Sequence, residues 1–243
     1  MTDDGIFDGS VAATYDAEHG TASEQIDAAV ACLADLAAGG PALEFAIGTG
    51  RIALPLARRG VAVSGIELSQ AMVDVLRAKP GGRDIPVTVG DMTCARQGRD
   101  FALVYLIYNT IDNLTSQEAQ IRCFQNAAAH LRPGGCFVVE TLVPPLQRLP
   151  QGETLLAFSR SATHWGMDEI DVVSQCYWSH HTHFDARGKA NRLAVPFRYV
   201  WPAELDLMAR IADMKLQDRW AGWDKSTFAA TSRAHVSVWR KAE

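Results

Sequence analysis

The sequence predicts a doubly wound α/β fold on a mostly parallel sheet, followed by an inserted set of antiparallel strands. Three observations carry this. Short apolar strands alternate with helical segments between residues 41 and 141. Some of these strands, Phe101 to Ile107 above all, are apolar on consecutive residues, which requires cover on both faces. After about residue 155 the rhythm changes to runs rich in Val, Tyr, Phe, Trp and Thr, separated by turn signals such as Asp185-Ala-Arg-Gly188.

The elements follow in order. Residues 23 to 38 place Ile26, Val30, Leu33 and Ala37 at helical spacing behind a Ser23 cap and stop at Gly39-Gly40. Pro41 to Ile47 is a buried strand with one acid, broken by Gly48-Thr49-Gly50, and Arg51 to Arg59 is a helix stopped by Gly60. Val61 to Ile66 (strand), Ser69 to Lys79 (helix with Ser69 as cap), Ile85 to Val89 and Phe101 to Ile107 (strands) and Gln117 to Leu131 (helix) continue the pattern. Cys136 to Thr141 forms a fifth strand after the Pro133-Gly134-Gly135 turn. Leu155 to Trp165, Ile170 to His181 and Leu193 to Val200 are the inserted strands. A helix from Pro202 to Ala212 and strands from Lys215 to Trp220 and His235 to Arg240 close the chain. This divides it into an N-terminal helical cap (1–40), an α/β domain (41–150 and 201–243) and the insert (151–200).

A length of 243 residues fits one large domain with an insertion, and 48% hydrophobic residues supply an ordinary core. Lys and Arg number 23 against 28 Asp and Glu, a net charge of −5. That argues against a protein that neutralises nucleic-acid phosphates or anionic lipid. Met1-Thr2-Asp3-Asp4 is acidic where a signal peptide would be basic, and no run of about 18 apolar residues occurs, so a soluble cytoplasmic protein is expected. The five cysteines, Cys32, Cys94, Cys123, Cys136 and Cys176, are scattered and suggest neither disulfides nor zinc.

Four motifs bear on chemistry. Glu44-Phe-Ala-Ile-Gly-Thr-Gly50 turns a first strand into a helix, where small residues and free N–H donors receive a ligand. Its continuation, Gly48-Thr-Gly-Arg51-Ile-Ala53, also satisfies the dinucleotide pattern. Glu67 ends the next strand and can accept both hydroxyls of a ribose. Gly90-Asp91-Met92 ends the third strand, where an acid can take the exocyclic amine of adenine. Leu131-Arg-Pro-Gly-Gly135 supplies a sharp turn before the fifth strand.

In this order and spacing the motifs resemble those of class I S-adenosylmethionine-dependent methyltransferases, over about residues 41 to 141, and His235-Val-Ser-Val-Trp239 is similar to the family's final strand. The resemblance implies a Rossmann-like, seven-stranded sheet with S-adenosylmethionine as cofactor and S-adenosylhomocysteine as product. It also implies that Glu44 orients the glycine loop and the methionyl amine, while Ala46, Gly48 and Gly50 line the methionine part. Glu67 would hold the ribose, Asp91 and Met92 the adenine, and Leu106 and Ile107 the methionyl amino group. Arg51 and Leu68 complete the expected cofactor set. Ala46 stands where many members carry a glycine.

The acceptor belongs at the carboxyl ends of the strands. Asn109 and Asp112 in Tyr108 to Asn113, Glu140 at the end of the fifth strand, and Tyr15 in Ala13-Thr-Tyr-Asp16, placed before the first helix, are the nearby candidates. Tyr15 resembles the tyrosine that closes over the cofactor in small-molecule members. His164 is the candidate from the insert. The set read as catalytic is therefore Tyr15, Asn109, Glu140 and His164. His180, His181 and His183 invite a metal, but His180 faces away from the other two and no third ligand is evident, so no metal is expected. A polar rim, a dimer contact or a substrate wall remain for these strands, and a homodimer is compatible with them.

The expected function is methyl transfer to an amine or hydroxyl of a small molecule, and the insert resembles that of amino-sugar N-methyltransferases of secondary metabolism. No nucleic-acid or membrane partner is expected. Two alternatives stay open: an NAD(P)-dependent oxidoreductase, which lacks a Tyr-x-x-x-Lys proton donor here, and an S-adenosylmethionine binder that does not transfer methyl.

Overall fold

The computed structural model describes residues 9–18 and 23–243. The acidic Met1–Asp4 segment and the side chain of Ser23, read as a helix cap, lie outside what is described. The elements are α1 (Gly9–Glu18), α2 (Ser23–Ala37), β1 (Ala42–Phe45), α3 (Ala53–Arg58), β2 (Val63–Glu67), α4 (Gln70–Ala78), β3 (Val87–Val89) and β4 (Phe101–Leu106). A 3-10 turn (Thr110–Asn113), α5 (Gln117–His130) and β5 (Leu131–Leu142) follow. The insert holds β6 (Leu155–Arg160), β7 (His164–Asp171), β8 (Cys176–Phe184) and β9 (Ala190–Arg198), and α6 (Pro202–Ile211), β10 (Met214–Trp220) and β11 (Ala234–Lys241) complete the chain.

Seven strands form one sheet in the order β10-β11-β5-β4-β1-β2-β3, parallel except for β11, which runs antiparallel to both its neighbours. The order reverses between β1 and β4, so a crevice opens at their carboxyl ends. β4 shows why this sheet needs two covers. Val104 and Leu106 pack into the core with Phe124, Phe137 and Trp239, while Leu103 and Tyr105 pack with Leu33 and Leu56 on the other face. Ser69 caps α4 by accepting from the Met72 amide at 3.3 Å, as expected, and Ser116 caps α5 from Ala119 at 3.1 Å.

The second sheet is antiparallel, in the order β6-β7-β8-β9. The insert has four strands where the sequence predicts three, because two expected strands run through turns. Ser161 Oγ accepts from the amides of Thr163 and His164 and folds the chain back between β6 and β7. The Asp171 carboxylate accepts from the Val173 amide and the Ser174 hydroxyl between β7 and β8. Tyr15 also moves: it lies on α1 rather than before the first helix. No helix among the described residues is long and apolar enough to cross a membrane.

Candidate functional site

Glu67 organises the crevice. Its Oε2 accepts from the Gly48 amide at 2.8 Å and its Oε1 from the Ser69 amide at 2.9 Å, so the tip of β2 holds both the glycine loop and the start of α4. Gly48 and Gly50 have φ of 55° and 77°. At Gly50 the positive φ favours glycine, and a Cβ there would also press on the Leu76 side chain, which would have to shift. Ala46 shares the left-handed region at φ 52°, which is the physical reason a glycine suits it.

Glu44 lies fully buried below the loop and accepts from the Tyr105 hydroxyl at 2.9 Å. Burial pushes its carboxyl pKa up to about 8, against the lowering effects of Tyr105 and Arg51. Arg51 stacks over the Tyr108 ring at 4.0 Å. Tyr15 lies close by, and burial raises its pKa more than Arg51 lowers it. A small cavity of about 40 Å³ joins Glu44, Arg51, Tyr15 and Ile107 under the loop.

Above the loop a chamber of about 860 Å³ begins at Tyr15, Ala46, Gly48, Glu67, Met72 and Tyr108 and continues past Asn109 to Asp168, Tyr177, Ser179, His181 and Phe197 on the four-stranded sheet. Its near end fits S-adenosylmethionine. The small residues Ala46 and Gly48 line it, and the Glu67 carboxylate stands there at a strand tip. Glu67, Gly48, Ala46 and Tyr15 would hold the cofactor there. Asp91 and Met92 sit at the tip of β3, beside Gly90, whose amide donates to the Glu67 carbonyl at 2.8 Å. Asp91 is exposed, Met92 is buried, and Met72 from α4 lines the chamber where the sequence named no residue. Leu106 is fully buried in the core, and the Ile107 carbonyl accepts from the Thr110 hydroxyl at 2.7 Å. Leu68 is half-buried between Glu67 and the α4 cap.

Of the residues read as catalytic, Tyr15 and Asn109 line the chamber. Glu140 is otherwise engaged: its Oε2 accepts from the Tyr108 amide at 3.0 Å and its Oε1 from Trp223 Nε1 at 2.8 Å. Tyr108 and Asn109 have φ of 61° and 59°, an uncommon pair for non-glycine residues. Glu140, with the Asn109 Oδ1 bond to the Leu142 amide at 2.7 Å, holds that loop in place. Asp112 is buried beneath the chamber, its pKa pushed up by burial to about 8, with the Tyr177 hydroxyl 3.5 Å away.

His164 does not line the chamber itself but touches two residues that do: His181, whose Nδ1 lies 3.1 Å from His164 Nε2, and Phe158, whose ring centroid is 6.2 Å away. The third imidazole that was not evident in the sequence is His164, which β7 places opposite His183 and beside His181. His180 faces the other way and pairs with Glu169 at 3.2 Å. Asp168 and Ser179, absent from the predicted set, face each other across the same two strands. The periodicity of β7 and β8 holds this information, but it becomes readable only once the turns at 161–163 and 172–175 fix the register.

Comparison with known proteins agrees with this geometry. A family model described as a methyltransferase domain matches residues 42–135. A curated relative, the cypemycin N-terminal methyltransferase of Streptomyces sp, is 27% identical over 203 residues, 81% of each chain. The structure of CalS10, an amino pentose methyltransferase from Micromonospora echinaspora involved in calicheamicin biosynthesis, shares the fold with a TM-score of 0.72. It is 21% identical over 94% of this chain and 97% of that one. The CcbJ methyltransferase of Streptomyces caelestis superimposes with a TM-score of 0.87, covering 99% of this chain and 100% of its own. None of these supports the oxidoreductase alternative. At 35% identity from end to end, the kinship with CcbJ is one of family as well as fold, and the chain belongs to the S-adenosylmethionine-dependent methyltransferases.

Proposed function

We propose that this methyltransferase acts on an amine of a small natural product, with an amino sugar as first choice, seated between the glycine loop and the four-stranded sheet. The observation that carries the reading is Asp168, a carboxylate in the wall of the acceptor end of the chamber. Burial raises its pKa more than the Ser179 hydrogen bond and His180 lower it, so it can both hold an ammonium group and take up its proton.

Bound S-adenosylmethionine supplies an electrophilic methyl group. The chain's own task is to align the nitrogen, exclude water and remove one proton, and alignment alone is worth about 7 to 11 kcal/mol of barrier. Tyr15 and Tyr108 cover the cofactor end, Phe197 and Phe158 wall the acceptor end, and Asp168 takes the proton that frees the nitrogen lone pair. The names of the cypemycin and amino pentose relatives support a nitrogen-bearing acceptor.

The test is incubation with S-adenosylmethionine and a panel of amino sugars and amino-acid-derived amines, read by mass spectrometry. A gain of one methyl on nitrogen is expected. Methylation confined to hydroxyls would refute the amine reading, and no transfer to any acceptor would favour a binder. Asp168→Asn should raise the acceptor KM by about tenfold or more, since a hydrogen bond to a charged group is lost, while cofactor affinity holds. An unchanged KM would remove Asp168 from the acceptor site.

The outward face of the four-stranded sheet exposes Trp165, Met167 and Trp178, and a second copy of the chain would pack there. Sedimentation velocity checks this: a dimer disrupted by Trp178→Glu is expected, and a monomer at all concentrations would contradict it.

A further inference from the structure

Three imidazoles converge on the inner face of the β7–β8 hairpin. His164 stands directly opposite His183, with His181 two residues earlier on the same face. The rings are nearly parallel: His164 lies 4.4 Å from His183 at 15° and 5.2 Å from His181 at 12°. One ring nitrogen from each falls within 4.8 Å of the others.

His181 bridges its neighbours: its Nε2 lies 3.2 Å from the Ser179 hydroxyl and its Nδ1 lies 3.1 Å from His164 Nε2. In the tautomer that donates from Nε2 to Ser179, Nδ1 presents its lone pair towards His164. Two nitrogens on a tetrahedral ion with bonds of about 2.0 to 2.1 Å stand about 3.4 Å apart, so this pair needs little movement. His183 is exposed, and its ring can swing onto an ion without repacking. Phe158 packs against both His164 and His181, at 6.2 and 5.2 Å, and gives the cluster an apolar flank.

We propose that His164, His181 and His183 form a binding site for a divalent transition-metal ion, zinc being the first choice, with the fourth position open to water or to a polar group of the acceptor. Imidazole donors suit zinc, cobalt, nickel and copper, whereas magnesium and calcium call for oxygen. Three histidines with one open position match the tetrahedral preference of zinc, and the Ser179 contact is the outer hydrogen bond such ligands use to fix their tautomer. Because His181 also lines the chamber, the ion would brace the acceptor wall. The site does not depend on the identity of the acceptor or on methyl transfer itself.

The experiment is titration of the full-length, tag-free, chelator-treated protein with Zn²⁺ by calorimetry and with Co²⁺ by visible absorption. One ion per chain is expected, with the intense d–d bands of tetrahedral Co²⁺ and a rise in Tm with Zn²⁺. His164→Asn, His181→Asn and His183→Asn should each remove the stoichiometric binding, and Ser179→Ala should weaken it by about 10- to 100-fold. His180→Asn, on the opposite face, should leave it intact. S-adenosylhomocysteine binding by each variant reports that the fold survives, and the exposed His183 provides a variant that does not disturb the core. The proposal is overturned if the wild-type chain binds neither ion stoichiometrically, if only the weak spectrum of hexaaqua-like cobalt appears, or if binding persists in the His183→Asn variant.

Discussion

Ala46 illustrates what a single residue costs at the crevice. Its φ of 52° places a Cβ in the left-handed region, which costs roughly 1 kcal/mol or more relative to glycine. Ala46→Gly should therefore stabilise the protein by less than about 1 kcal/mol, because the added chain entropy of glycine offsets part of the relieved strain, a rise in Tm of about 2 °C or less. A lower Tm in calorimetry would show that the Ala46 methyl group packs usefully. Glu44 adds a pH dependence. Its carboxyl, ordinarily near 4.5, is pushed up to about 8 in the fold by burial, so the stability linked to its protonated form is complete below 4.5 and is lost as the pH climbs through 8. Glu44→Gln should flatten the decline in apo-protein stability across that window, as measured by urea melts at a series of pH values. Parallel pH profiles for variant and wild type would contradict the assignment. A cofactor cation placed beside Glu44 would also favour its ionised form, so binding near neutral pH should release a proton. Calorimetry in buffers of different ionisation enthalpy measures that release, and the absence of any buffer dependence would place the cation elsewhere.

Among the elements, α1 is tied to the glycine loop and the end of α4 by side-chain latches. Asp16 accepts from the Thr49 hydroxyl at 2.6 Å and pairs with Lys79 at 2.5 Å, and Lys79 also donates to the Thr49 carbonyl at 2.8 Å. Burial works to raise Asp16, but these partners outweigh it and hold the carboxyl below its ordinary range. The latch brings Tyr15 over the glycine loop. Asp16→Asn is expected to weaken S-adenosylhomocysteine binding by about three- to tenfold, the worth of one net hydrogen bond, with the fold unchanged by circular dichroism. Full affinity in the variant would mean that Tyr15 is held by other contacts. The helix itself was not legible from residues 9–18, whose apolar residues show no facial segregation. β4 was legible because continuous burial leaves an unbroken apolar run, and β1 and β2 because short, mostly buried segments end at the glycine turn and at Glu67. The insert was misdivided, since Ser161 and Asp171 make their turns through side-chain hydrogen bonds rather than through a Gly or Pro signal.

At the level of the whole molecule, the cofactor half of the site follows from local sequence. Strand tips and glycine turns are short motifs, so Glu67, Gly48 and Ala46 could be named without knowing what packs over them. The proposed acceptor half depends on where a separate sheet is folded back, and that is why the sequence pointed to His164 and Glu140 but not to Asp168 and Ser179, which only the strand register brings to the chamber wall. Glu140 braces a strained loop, and His164 faces its fellow histidines. The central claim is that one continuous chamber holds the adenosine end at Glu67 and the acceptor at Asp168. A crystal structure with S-adenosylhomocysteine tests it most directly: the ribose hydroxyls should meet the Glu67 carboxylate, with the sulfur facing into the chamber towards Asp168. A ligand bound away from Glu67, or with its sulfur turned from the four-stranded sheet, would contradict the account.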